Sequence, residues 1–171
     1  MISSLTLTPA VHKDLLSHLL PSGGQCEEAA FLFVSAEKSP EELKMSVREV
    51  AKLEPKDFVA RFSDYLELTD SARIRLIKRA HDLGASIVEM HSHVGPWRAA
   101  FSYSDIKGLK ETVPHMWWRL RGRPYAAIVV ARNGFDALVW SENPQTAIAL
   151  DRLIVGDQVL RPTCTALEEW S

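Results

Sequence analysis

His91 and His93 stand two residues apart in the stretch Glu89-Met-His-Ser-His-Val-Gly-Pro-Trp-Arg-Ala-Ala-Phe-Ser-Tyr-Ser-Asp105. They close a strand-like run over residues 86–90. Side chains alternate faces along a strand, so both imidazoles point one way and Ser92 the other. Two neutral imidazoles converging on one point are a start on a zinc site, and a catalytic site needs a third protein ligand and one open position. Asp105 is the candidate for that ligand. Gly95 and Pro96 turn the chain back, and a helix is predicted to begin near Ser102. Three apart on that helix, Ser102 and Asp105 share a face at its first turn. The same Ser-x-x-Asp pattern also describes an ordinary helix start, with serine capping and an acid in the first turn. Capping does not exclude ligation.

Periodicity and punctuation predict the elements that must hold these residues. Residues 4–8 alternate as in a strand. Pro9 suits a helix start, and Val11, Leu15, Leu16, Leu19 and Leu20 repeat at helical spacing through residue 20. Residues 29–34 form an apolar run suited to a strand buried on both faces, and residues 43–53 read as another strand. Asp70 is placed to cap a helix carrying Ile74, Ile77, Ala80 and Leu83, with Gly84 ending it. Residues 102–118 read as a helix that Pro114 should end or kink. Residues 125–131 and 135–140 flank Arg132-Asn133-Gly134, a hairpin signal. The last 30 residues of the 171 are weakly patterned. Strands interspersed with three helices predict an α+β fold, a mixed sheet with helices packed around it.

A length of 171 residues suits one domain spanning 1–171. With 46% hydrophobic and 25% charged residues the composition is that of a soluble globular protein. A formal net charge of -2 argues against non-specific nucleic-acid or membrane binding. No apolar run approaches the roughly 20 residues needed to span a bilayer, and the first residues lack a signal peptide's pattern. Cys26 and Cys164 are too few for a disulfide framework and read as reduced thiols. The expectation is a cytoplasmic protein. Trp117-Trp118-Arg-Leu-Arg-Gly-Arg123 interleaves aromatics with bases as nucleic-acid binders do. Its place between a helix end and a strand predicts instead core tryptophans and a solvated arginine rim. His12, His18, His81 and His115 have no spacing partner for a metal site.

Taken in order, a buried strand, His-x-His, a loop and Ser-x-x-Asp resemble the JAMM motif of JAB/MPN-type zinc metallopeptidases. That motif also carries an upstream glutamate opening a short apolar strand after the first helix, matched here by Glu28 before residues 29–34. The resemblance covers roughly residues 4–140. Eight residues separate His93 from Ser102, one more than usual, and Val94 stands where a proline often follows the second histidine. Glu27 competes with Glu28. Neighbours on a strand face opposite sides, so only one can point at the metal, and the family pattern favours Glu28.

The resemblance implies one Zn²⁺ per chain on His91, His93 and Asp105, Glu28 as general base and Ser102 as hydrogen-bond donor to the developing oxyanion. It implies peptide or isopeptide hydrolysis after the C-terminal tail of a ubiquitin-like protein, in a small stand-alone member of prokaryotic type with a possible defence role. The expected partner is a ubiquitin-like protein or its conjugates, and no nucleic acid or membrane. Two rival readings are a maturation peptidase for a ubiquitin-like or sulfur-carrier protein and a non-catalytic MPN-type scaffold. Residues 56–70 form a candidate insertion, whose Phe58, Phe62, Tyr65 and Leu66 read as a docking patch or as a small helix packed on the core.

Overall fold

The computed structural model describes residues 1–170. In chain order the elements are β1 (Ile2–Leu7), α1 (Pro9–Leu19), β2 (Ala29–Lys38), β3 (Glu42–Lys52), a 3₁₀ turn (Pro55–Asp57), β4 (Phe58–Arg61), β5 (Leu66–Leu68), α2 (Asp70–Leu83), β6 (Ser86–Ser92), α3 (Tyr103–Arg119), β7 (Tyr125–Ala131), β8 (Gly134–Trp140), β9 (Ile148–Ala149), β10 (Arg152–Val155), β11 (Gln158–Leu160) and α4 (Ala166–Trp170). Nine strands form one mixed sheet in the order β11-β10-β1-β3-β2-β6-β7-β8-β9, and β4 and β5 form a separate hairpin. The fold is mixed α+β.

Covered faces explain the apolar runs. The first six residues of β2 and all seven of β7 are buried. Alternation divides them between two cores. Ala30, Leu32 and Val34 pack with Leu15 and Leu19 of α1. Ala29, Phe31 and Phe33 pack on the opposite face with Leu76 and Ala80 of α2, Leu109 and Val113 of α3, and Trp170 of α4. The sheet is therefore a middle layer, with α1 on one side and the other three helices on the other.

Local chemistry sets the helix ends. Thr8 accepts from the Val11 amide and Pro9 takes the first turn, where its missing N–H costs nothing. Thr69, one residue before the expected Asp70, caps α2, and Asp70 occupies the first turn. Gly84 ends α2 in the left-handed region at φ 59°, which disfavours other residues.

Several expectations change. Pro114 does not end its helix: α3 continues to Arg119. The ring lies on the exposed side, where water can satisfy the freed carbonyl, while Val113, Met116 and Leu120 hold the buried side to the sheet. Residues 56–70 contain no α-helix before Asp70 and fold mainly as the β4–β5 hairpin. Phe58, Leu66 and Leu68 pack against the core, while Phe62 and Tyr65 are exposed. There are four α-helices among the described residues, not three, and the weakly patterned C-terminus supplies the fourth with β9, β10 and β11. Trp117 packs on the core, but Trp118 is exposed under the Arg119 guanidinium. No helix among the described residues is long and apolar enough to cross a membrane. Cys26 and Cys164 are free thiols.

Candidate metal centre

β6 lies inside the sheet, next to its central strand, paired antiparallel with β2 and parallel with β7. Its end is fixed by backbone bonds to both neighbours: the Ser92 amide donates to the Glu28 carbonyl and the His93 amide to the Val130 carbonyl. Ser92 is fully buried, and its hydroxyl accepts from the Glu28 amide. The two histidines share the opposite face, with the His91 ring against Phe101.

α3 begins at the same place. Ser102 caps it by accepting from the Asp105 amide at 3.1 Å, and the Asp105 carboxylate accepts from the Ser102 amide at 2.7 Å. Both readings of Ser-x-x-Asp therefore hold: the pair forms a capping box, and that box aims Asp105 at the histidines. Asp105 Oδ2 lies 3.1 Å from His93 Nε2 and 3.5 Å from His91 Nε2, and the two Nε2 atoms are 3.2 Å apart. Ligands at about 2.0–2.1 Å around a tetrahedral ion are separated by about 3.3–3.4 Å. The three donor atoms thus have the spacing that one small ion needs, and the triad could hold a metal ion. It is the one such group of three or more among the described residues. His18 and His81 lie elsewhere, hydrogen-bonded to the Ala29 carbonyl and to Arg123.

The glutamate beside the triad is Glu27, not Glu28. Glu27 is 3% exposed and its Oε1 lies 3.6 Å from His93 Nε2. Glu28 turns to the hairpin and pairs with Arg61. The register explains the reversal. Ala29 sits opposite His91, so continuing two residues along both antiparallel chains sets Glu27 opposite His93 and Glu28 opposite Ser92. Directly opposed residues share a face. Glu27 therefore shares the histidine face, and Glu28 is left with Ser92. The hairpin also fixes this glutamate's backbone: the Glu27 amide donates to the Phe62 carbonyl at 2.7 Å.

Charge and burial oppose one another here. Burial would raise the Asp105 carboxyl, but hydrogen bonds from His91 and His93 outweigh it and hold Asp105 far below the usual carboxylate range. Burial pulls His91 down, and Asp105 chiefly, with Glu27 and Glu89, reverses that and raises it above 6.5. Glu27 is raised by burial, which the two histidines only partly offset. Glu27 is thus a carboxyl group of raised proton affinity beside a triad that could hold a metal ion.

A groove of about 1200 Å³ leads away from the triad, with β5, α2 and α3 as walls and Phe31, Glu89, His91 and Tyr125 in its floor. Along α3 its lining runs from Ser104 to Arg119, a length of about 22 Å at 1.5 Å per residue. Glu89 is a floor residue that sequence reading did not single out. It precedes His91 by two positions, and alternation alone puts it on the same face.

No protein-family model matches this chain, and no curated protein matches it in sequence.

Proposed function

We propose that this chain is a zinc-dependent peptidase of the JAMM (JAB/MPN) type that hydrolyses the bond after the C-terminal tail of a ubiquitin-like protein. The observation that carries the reading is the convergence of His91, His93 and Asp105 on one point, with Glu27 beside His93. The donor set, two imidazoles and one carboxylate, suits catalytic zinc with one position left open. His91, His93 and Asp105 would hold the ion. Zinc in such a site supplies Lewis acidity and brings the pKa of water towards ~7.

The protein's own groups account for the proton traffic. Glu27, raised by burial and close to His93, takes a proton from the attacking water and returns it to the leaving amine. Ser102 Oγ accepts from the Asp105 amide and shares a hydrogen bond with Ser104 Oγ at 2.9 Å; with Ser104 as the donor, the Ser102 O–H can turn to the oxyanion. In other enzymes loss of such a donor costs about 3–4 kcal/mol. Glu28 is paired with Arg61 and faces away from the triad. The groove accommodates about six extended residues at ~3.3 Å each. Among the described residues β5 has one edge free of strand pairing, and it contributes Leu66, Glu67 and Leu68 to the lining, so an extended tail can add beside it as a strand.

The test combines zinc content by elemental analysis with cleavage of a ubiquitin-like protein presented as a linear fusion and as a branched isopeptide conjugate. We expect about one zinc per chain and turnover of at least one substrate; preference for the linear fusion would mark a maturation peptidase. Folded protein that takes up no zinc when supplied with it would refute the reading.

A further inference from the structure

The floor of the groove contains a carboxyl group that packing does not require. Across the sheet Glu89 is flanked by Phe31 on β2 and Ala127 on β7, both members of the apolar core under α2 and α3. Ile87, two residues earlier on the same face, is fully buried in that core. A leucine or phenylalanine at position 89 would extend it, whereas a half-buried carboxylate costs desolvation. Tyr125, itself fully buried, donates its hydroxyl to Glu89 Oε2 and is the one hydrogen-bond partner of that carboxylate among the described residues. A carboxylate offers about four acceptor sites, and the one bond from Tyr125 leaves most of them unmet by the protein where Glu89 lines the groove. Arg73 on the α2 wall acts electrostatically on both Glu89 and Tyr125 but forms no ion pair with Glu89 within 4.0 Å.

We propose that Glu89, braced by Tyr125, is a specificity-determining residue that receives a lysine or arginine side chain of the peptide lying in the groove. Two positions along β6 separate Glu89 from His91, about 6.6 Å at 3.3 Å per residue. The basic residue therefore lies within about two residues of the bond held at the triad. Apolar walls, including Leu68, Ile77 and Met116, take the aliphatic part of such a side chain while its charged head reaches the floor. This inference rests on the groove being the substrate channel of the proposed peptidase.

The experiment reads binding, so it needs no turnover. Random dodecapeptides displayed on phage are selected on zinc-supplied Glu27→Gln protein, and a selected peptide is measured by fluorescence anisotropy. We expect the selected peptides to share a lysine or arginine at one position. Replacing that residue with norleucine should weaken binding at least tenfold in the Glu27→Gln background. The same replacement should change binding less than twofold once Glu89→Gln is added. Glu89→Asp, which withdraws the carboxylate by one methylene, should give an intermediate loss and serves if Glu89→Gln fails to fold. Selection of no peptide, absence of a basic preference, or a norleucine penalty that persists without the Glu89 carboxylate would overturn the assignment. Charge-dependent binding by protein that holds no zinc would uphold Glu89 and refute the peptidase instead.

Discussion

Replacing Asp105 with Asn preserves its size and one oxygen but removes a charge that has two separate effects. The carboxylate is one of three donors lying 3.1–3.5 Å apart, and it is the main group opposing the burial that pulls His91 down. In the metal-free wild type His91 is raised above its ordinary 6.5, so at pH 6.5 it is more than half protonated. Zinc binds only neutral imidazole, and binding at that pH must expel more than half a proton from His91. Without the Asp105 charge, burial is opposed only by Glu27 and Glu89, so His91 is less protonated and its proton release shrinks. Affinity falls for a different reason, the loss of a ligand. Changes to residues that merely orient ligands cost ~10–100-fold, so loss of a ligand should exceed that, or about 2.7 kcal/mol at the upper limit. Calorimetric titration of zinc at pH 6.5, in two buffers of different ionisation enthalpy, yields both quantities. Unchanged zinc affinity in Asp105→Asn would remove Asp105 from the ligand set. Proton release near zero in the wild type would show that the charge balance around His91 is wrong.

The two neighbouring glutamates should separate in an activity assay: Glu27→Gln loses ~10²–10⁴-fold in kcat with zinc retained, while Glu28→Gln, which breaks only the Arg61 pair, keeps kcat within about tenfold of wild type; the reverse outcome would restore Glu28 as the base. In metal-free protein the combined contribution of Asp105 and His91 to stability should be greatest between about pH 4 and 6.5. Asp105, lowered from 3.8, contributes stability that is present above that value and lost on acidification, whereas the contribution of raised His91 is complete below 6.5 and lost as pH rises through its folded value. Thermal melts with a chelator present, compared with Asp105→Asn, check this window; a wild-type profile as flat as the variant's would refute it. Away from the site, the fully buried Asp136 accepts from the amides of Ala137, Cys164, Thr165 and Ala166 and from the Thr165 hydroxyl. Asp136→Ala strands those donors and should cost ~3–5 kcal/mol in denaturant unfolding, with a loss below 1 kcal/mol counting against its role as the anchor of the C-terminal segment.

Local patterns in the sequence determined much of this protein. Helical spacing of leucines after Pro9, the glycine ending α2 and the turn before Gly134 all act within a few residues, and each appears close to its expected place. His-x-His on a strand and Ser-x-x-Asp at a helix start are likewise local, so the shared face of the histidines and the cap at Ser102 were legible without a partner. Tertiary structure decided what depends on register and on covered faces. Glu27 and Glu28 are indistinguishable along the chain, and only pairing of β2 with β6 turns Glu27 to the histidines. Pro114 is tolerated because the opposite side of α3 packs on the sheet. β10 has four residues and becomes a strand by lying parallel to β1, nearly 150 positions earlier in the chain; backbone hydrogen bonds to so distant a partner leave no periodic trace in sequence. Glu89 belongs with these. Its alternation with His91 was readable, but that it faces a groove between two helices follows only from how α2 and α3 pack.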